Sequence, residues 1–271
     1  MEALDTIRVL LTVHYDGSAF HGWQYQPDQR TVQGIVQDAL THLTGEFRTV
    51  MGSGRTDTGV HATGQVAGVD VPGRWNPNEL KRALNAILPE DIWVQSARAA
   101  ALDFNPRFDA LARTYIYKVG LDPGSASPIQ QRWCWALCKD LPIPALAQAA
   151  APLPGEHSFE AFSKSGQPER GYRCNIFIAE WSDWDLGAQF TITANRYLHH
   201  MVRYLVGTMI DIALGQRPSE DIKRLLKNES DVTTSRPAPP QGLFLNHVEY
   251  PDTVLLDQDC ATSSPRSSTK P

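Results

Sequence analysis

From Ile7 to Tyr15 the chain alternates, with Ile7, Val9, Leu11, Val13 and Tyr15 on one side and Arg8, Thr12 and His14 on the other. A period of two predicts a half-buried strand. After the turn-rich segment YDGSAFHGWQ (15–24) the period lengthens. Val32, Ile35, Val36, Ala39, Leu40 and Leu43 form a 3.6-residue stripe, with Thr31 placed to cap it and Gly45 to end it. Two short apolar runs, Phe47–Met51 and Gln65–Val71, read as strands around a glycine-rich stretch. Asn76-Pro77-Asn78-Glu79 then carries a cap, a proline at the first helical position and an acid in the first turn. The stripe behind it is Leu80, Ala83, Leu84, Ile87 and Leu88, stopped by Pro89, and Ile92–Ala99 is the next strand. The order is β-α-β-β-α-β, a ferredoxin-like pattern.

The second half gives the same order with insertions. Ala112–Gly120 predicts a strand with Arg113, Tyr115 and Tyr117 on one face, followed by an Ala-rich helix begun near Pro142. Asn175–Trp181 and Gln189–Asn195 predict a strand pair. A long helix is expected from about Arg196 to Leu214, then a short one near Ser219–Leu226 and a last strand, Leu243–Tyr250. The fold class expected is therefore α+β: two ferredoxin-like halves, with mainly antiparallel sheets side by side and a cleft between them. Their boundaries fall at residues 1–104 and 105–251, with FNPRF (104–108) as the connector. Residues 252–271 are Ser/Thr/Pro-rich, and a disordered tail is expected there.

Composition narrows the picture without deciding it. The chain has 271 residues, 42% of them hydrophobic, enough for a real core. No apolar run approaches a membrane span, and no signal peptide is read at the start. A net charge of −5 argues against uniform polyanion binding but leaves room for a local basic groove. Four cysteines (Cys134, Cys138, Cys174 and Cys260) lack paired spacing, so idle thiols in a reducing cytoplasm are expected.

Candidate chemistry concentrates in two places. GSGRTDTGVHATG (52–64) holds four glycines, Arg55, Asp57 and His61. Taken alone it reads equally as a long turn with solvated Asp57 or as a ligand-approaching loop. It is not a P-loop, because no Gly-Lys-Ser/Thr follows. On the expected long helix, Leu198, Met201, Val202, Leu205, Val206 and Met209 share the apolar face. Arg196, His199, His200 and Arg203 lie opposite, above Gly207, so that face should look onto something anionic at close range. His199 and His200 lack the i, i+4 spacing by which two helical imidazoles share an ion, so no metal is expected. Tyr115 reads either as a core aromatic or, with Arg113 and Tyr117, as a stacking platform.

The blocks YDGSAFHGWQ, GRTDTGVHA, FNPRF, RTYIY, HHMVRYLVG and GLFLNHVEY resemble, in that order, those of the A family of tRNA pseudouridine synthases. The resemblance spans roughly residues 7–250. It implies two ferredoxin-like halves, a homodimer, no cofactor, and isomerisation of uridines 38, 39 and 40 of the tRNA anticodon stem-loop. Residue by residue it implies Asp57 as catalytic nucleophile, Arg203 as the basic residue paired with it, and Tyr115 as the active-site tyrosine. Arg55 would fill the space of the everted base and Arg107 would contact tRNA; beside these, Arg113 and His61 are expected to bind substrate. Lys164, Arg170, Arg173 and Arg196 are further expected backbone contacts, with binding that weakens in salt. The chemistry suits these groups. A stacked uridine hides C1′ and C5, so it must be flipped out. A carboxylate then has to stay ionised in a water-poor pocket, which an adjacent arginine assists. Two alternatives use the same residues: a catalytically silent RNA-binding module, and a metal-dependent hydrolase built on His61, His199 and His200.

Overall fold

The computed structural model describes residues 6–164 and 171–251. The expectations for Arg170, Cys260 and the 252–271 tail lie outside them. Along the first half run β1 (Thr6–Tyr15), α1 (Val32–Thr44), β2 (Val50–Gly52), β3 (His61–Pro72), α2 (Pro77–Ile87) and β4 (Ile92–Ala100). The second half adds β5 (Ala112–Gly120), β6 (Trp135–Ala136), α3 (Ile143–Ala150), β7 (Gly155–Ser158), β8 (Arg173–Trp184), β9 (Gly187–Ala194), α4 (Met201–Ala213), α5 (Asp221–Leu226) and β10 (Leu243–Glu249).

Local signals set most boundaries. The Thr31 hydroxyl accepts from the Gly34 N–H, and Gly45 closes α1 in the left-handed region. The Asn76 side chain caps α2 by accepting from the Asn78 N–H. Of the expected α2 stripe only Leu80 and Leu84 are buried, and Ile87 is exposed. Strand β2 begins three residues later than the apolar run implied, leaving Phe47 exposed. The largest departure is at α4, which starts at Met201 rather than near Arg196. His200 has φ 64°, in the left-handed region, and a helix cannot continue through it.

Ten strands form one sheet in the order β4-β1-β3-β10-β5-β9-β8-β7, with β2 beside β3 and β6 beside β5. The run β4-β1-β3-β2 is repeated by β10-β5-β9-β8, so each half has the same internal order. The two halves do not form separate sheets. Strand β2 covers only the Ala67–Val69 part of β3, and β10 pairs in parallel with the start of β3, Phe244 with His61 and Leu245 with Ala62. The C-terminal strand therefore seams the halves. One face is apolar across this seam: Leu245 lies opposite Tyr115 and Tyr115 opposite Ile192, with Leu243, Tyr117 and Phe190 in the next row. All six are buried, and they belong to one continuous core with Val9, Leu11, Val13 and Tyr15 of β1. Burying side chains of this size favours folding by roughly 1.5–3 kcal/mol each. Helix α3 packs on α4. No helix among the described residues is long and apolar enough to cross a membrane. Cys134 and Cys174 are buried and Cys138 is exposed, all as free thiols.

Candidate active site

The loop from Ser53 to Val60 joins β2 to β3, and it is fixed at nearly every residue. The Ser53 hydroxyl donates to Gln65 Oε1, and the Gln65 amide donates to the Gly54 carbonyl. The Thr56 carbonyl accepts from the Trp23 N–H, and its hydroxyl shares a 2.7 Å hydrogen bond with Tyr15 Oη. The Asp57 carbonyl accepts from the Val60 N–H at 3.1 Å, and the Gly59 N–H donates to the Phe20 carbonyl. A buried partner thus stands behind almost each peptide, and the Asp57 side chain is carried on a rigid turn, 20% exposed.

Three nitrogen groups from the other half converge on that carboxylate. Arg203 Nη1 lies 3.4 Å from Oδ2, His200 Nε2 3.3 Å from Oδ2, and His199 Nε2 3.4 Å from Oδ1. The anionic partner sought by this basic stretch is therefore inside the molecule. Arg203 is itself held. Its Nε donates to the Ala238 carbonyl at 2.7 Å, and its own carbonyl accepts from the Ala238 N–H. The 236–240 segment is clamped from three sides: Tyr117 Oη donates to the Pro239 carbonyl, Pro240 lies against Gly59, and Arg236 crosses α4 at Gly207. A Cβ on Gly207 would meet the Arg236 carbonyl oxygen at 2.1 Å, so the glycine is what lets this strap approach.

Tyr115 is buried edge-to-face against Tyr197, ring centroids 4.8 Å apart. Burial, and then the charge of Asp57, push its phenol well above the usual tyrosine range, so it stays neutral near Asp57. Burial likewise lowers His200, against the pull of Asp57, which leaves its ring mainly neutral near pH 7. Asp57, His199 and His200 bring their ligand atoms within 4.8 Å of one another, the spacing a metal ion could use. The i, i+4 argument against a metal does not apply, because these histidines sit in a turn and not on a helix. The Arg203 guanidinium, however, already brings a positive charge to this carboxylate, and it would repel a cation held there.

The other sequence-nominated residues divide. Arg55 is exposed and its guanidinium has no partner among the described residues. Arg107 is exposed, 5.5 Å above the Phe108 ring. Arg113 points inward: its guanidinium donates to the carbonyls of Ala110, Asn195, Ser53 and Arg107. It therefore ties the Asp57 loop to the connector and to the end of β9. His61 is 1% exposed, away from the carboxylate cluster, between Trp133 and Phe244. The Gly17 N–H donates to its Nδ1 and burial lowers its pKa, so the ring is neutral and its 3.2 Å approach to Asp16 is not an ion pair. Lys164 and Arg173 are exposed, Arg173 paired with Glu156, while Arg196 reaches the carbonyls of Gly171 and Arg173.

A sequence profile described as tRNA pseudouridine synthase matches residues 11–109 and 149–251. The chain is 37% identical over 245 residues to the tRNA pseudouridine synthase A of Geobacter sp. (strain M21), covering 90% of this chain and 99% of the relative. It is 36% identical over 242 residues to that of Methylacidiphilum infernorum, covering 89% and 94%. To that of Syntrophomonas wolfei it is 36% identical over 252 residues, covering 90% and 98%.

Proposed function

This chain belongs to the tRNA pseudouridine synthase family, isomerases that act on tRNA, and from that premise we propose that it converts uridines 38, 39 and 40 of the anticodon stem-loop to pseudouridine with Asp57 as the nucleophile. The observation that carries the residue assignment is the partly exposed Asp57 carboxylate, ringed by Arg203, His199 and His200 and close to Tyr115.

The reaction breaks the N1–C1′ bond, turns the uracil and joins C5 to C1′. C5 loses its proton and N1 gains one, so nothing is oxidised, reduced or consumed, and no cofactor is required by the balance. The ionised Asp57 attacks the nucleoside, forming a bond that is broken again before release; a covalent intermediate divides the hard step in two. Arg203 directs the carboxylate and offsets its charge. Tyr115 contributes a flat apolar wall for the uracil and a neutral hydroxyl beside the reacting ring. Arg55, exposed and without a partner among the described residues, fills the gap left in the stem and meets phosphate or base edges with its planar fork. Arg107 adds a backbone contact. The protein acts as a homodimer, as the family resemblance implies; a monomer in sedimentation at assay concentrations would refute that part.

Because C5 gives up its hydrogen, an unmodified tRNA transcript tritiated at uracil C5 releases tritium to water when the enzyme acts. We expect release, with pseudouridine mapping to positions 38–40. Tritium retained in the uracil, with tRNA bound, would overturn the reading in favour of a silent binding module.

A further inference from the structure

The two oxygens of Asp57 are not equivalent. Oδ2 receives Arg203 and His200, whose side chains are only 13% and 15% exposed. Among the described residues Oδ1 is met only by His199, which is 55% exposed. One oxygen thus has two largely enclosed nitrogen groups beside it, with a hydrogen bond from Arg203, and the other is covered by a single side chain standing in solvent.

This division depends on the conformation of His200. Consecutive residues on an α-helix diverge by about 100°, so two adjacent histidines on a helix could not both reach one carboxylate. The left-handed backbone at His200 turns the chain sharply and brings the two rings to 4.2 Å between centroids, both beside Asp57. A non-glycine residue holds such a conformation only where its surroundings over-determine it. Here they do: the His199 carbonyl accepts from the Lys164 N–H, the Met201 N–H donates to the Leu198 carbonyl, and the His200 carbonyl accepts from the Tyr204 N–H as α4 begins. The charged and titratable groups around His200 are Asp57, Arg203, His199 and Lys164.

We propose that His200 is a positioning residue which, with Arg203, anchors Oδ2 of Asp57, that Oδ1 is the attacking oxygen, and that His199 is a cover over Oδ1 which the entering nucleoside displaces. The inference rests on Asp57 being the nucleophile. His200 touches no reacting atom; it acts by keeping one oxygen occupied so that the other is aimed. His199, exposed and beside a single oxygen, gives way without disturbing the anchor.

The test is a steady-state comparison on intact tRNA. Glycine tolerates the left-handed backbone, so His200→Gly removes the ring without forcing a new strain, and its Tm should equal or exceed that of the wild type. Its kcat should fall about tenfold or more, the scale expected when a reacting group is misaimed, while KM for tRNA stays within about threefold. Asparagine also accepts this backbone region and carries an amide donor, so His200→Asn should recover part of the lost kcat. His199→Ala should lower kcat clearly less than His200→Gly does, with KM equal to or below that of the wild type. Wild-type kcat in His200→Gly, no recovery by asparagine, or a kcat loss in His199→Ala as large as that in His200→Gly would each overturn the proposal. Asp57→Asn run alongside separates the two failures. An active Asp57→Asn defeats the nucleophile assignment itself; an inactive one beside a normal His200→Gly defeats only the positioning role.

Discussion

At the scale of single residues, what a side chain does is decided by where its polar atoms end. Arg113 and Arg203 are both arginines on basic-looking stretches, yet Arg203 divides its donors between Asp57 and the Ala238 carbonyl, whereas Arg113 gives all of its bonds to main-chain carbonyls. Replacing Arg113 by Ala would leave those carbonyls short of a partner in a half-buried setting. Unfolding in urea should show a loss of about 2–4 kcal/mol, from unsatisfied acceptors at roughly 1–3 kcal/mol each, partly relieved by water. A midpoint equal to wild type would show that these bonds stabilise nothing. Arg113→Lys should not restore the loss, since an ammonium cannot reproduce the planar fork. The motif suggested a substrate contact for Arg113 and for His61, because a motif records which residue types occur together and not the direction each faces. Asp57, Arg203 and Tyr115 were legible as a group from the blocks they sit in; His199 and His200 were legible only as an unexplained basic face.

At the scale of elements, the helices with local start and stop signals were readable almost to the residue. Thr31 with Gly45, and Asn76 with Pro77, are chemistry contained within one turn. The start of α4 was not readable, because the turn at His200 is set by the Lys164 N–H bond to the His199 carbonyl and by the approach of His200 to Asp57, which no local pattern encodes. Gly207 on the same helix allows a decision between opposing effects. Alanine normally favours a helix over glycine by about 1 kcal/mol. Here its Cβ would meet the backbone carbonyl of Arg236 at 2.1 Å, and a carbonyl held in a strap cannot swing aside as a side-chain end can. The clash should win. Gly207→Ala is expected to destabilise by about 1–3 kcal/mol. It should also lower kcat, because the displaced strap carries the Ala238 carbonyl that orients Arg203. An alanine variant with raised Tm and full activity would refute this.

For the whole molecule, the element order of both halves could be read from periodicity, but the seam could not. The parallel pairing of β10 with β3 joins residues far apart in sequence, and alternation within a strand does not say which edge it will find. That seam brings a loop from one half beneath a helix from the other, and without it the carboxylate and the guanidinium would not meet. The molecule also holds several imidazoles neutral. His14, His61 and His200 all have pKa values pulled down, chiefly by burial. The unfolded chain takes up these protons near the ordinary value of 6.5, whereas the folded chain resists them until lower pH. Stability from these groups is therefore present above about pH 6.5 and is lost as pH falls through it toward the folded values. Tm should be lower at about pH 5.5 than at about pH 7.5, a range in which ordinary carboxylates remain largely ionised. A Tm unchanged or higher at the acid end would contradict it.

The central claim is that the Asp57 carboxylate forms and breaks a bond with an everted uridine. The most direct measurement is nucleotide-resolution mapping of pseudouridine in an unmodified tRNA after incubation with the wild type and with Asp57→Asn, alongside a tRNA-binding assay of both. Asparagine keeps the shape of the side chain and removes its charge. The account predicts pseudouridine at positions 38–40 with the wild type, and none with the variant although it binds tRNA comparably. Pseudouridine formed by Asp57→Asn at a rate near that of the wild type would contradict it.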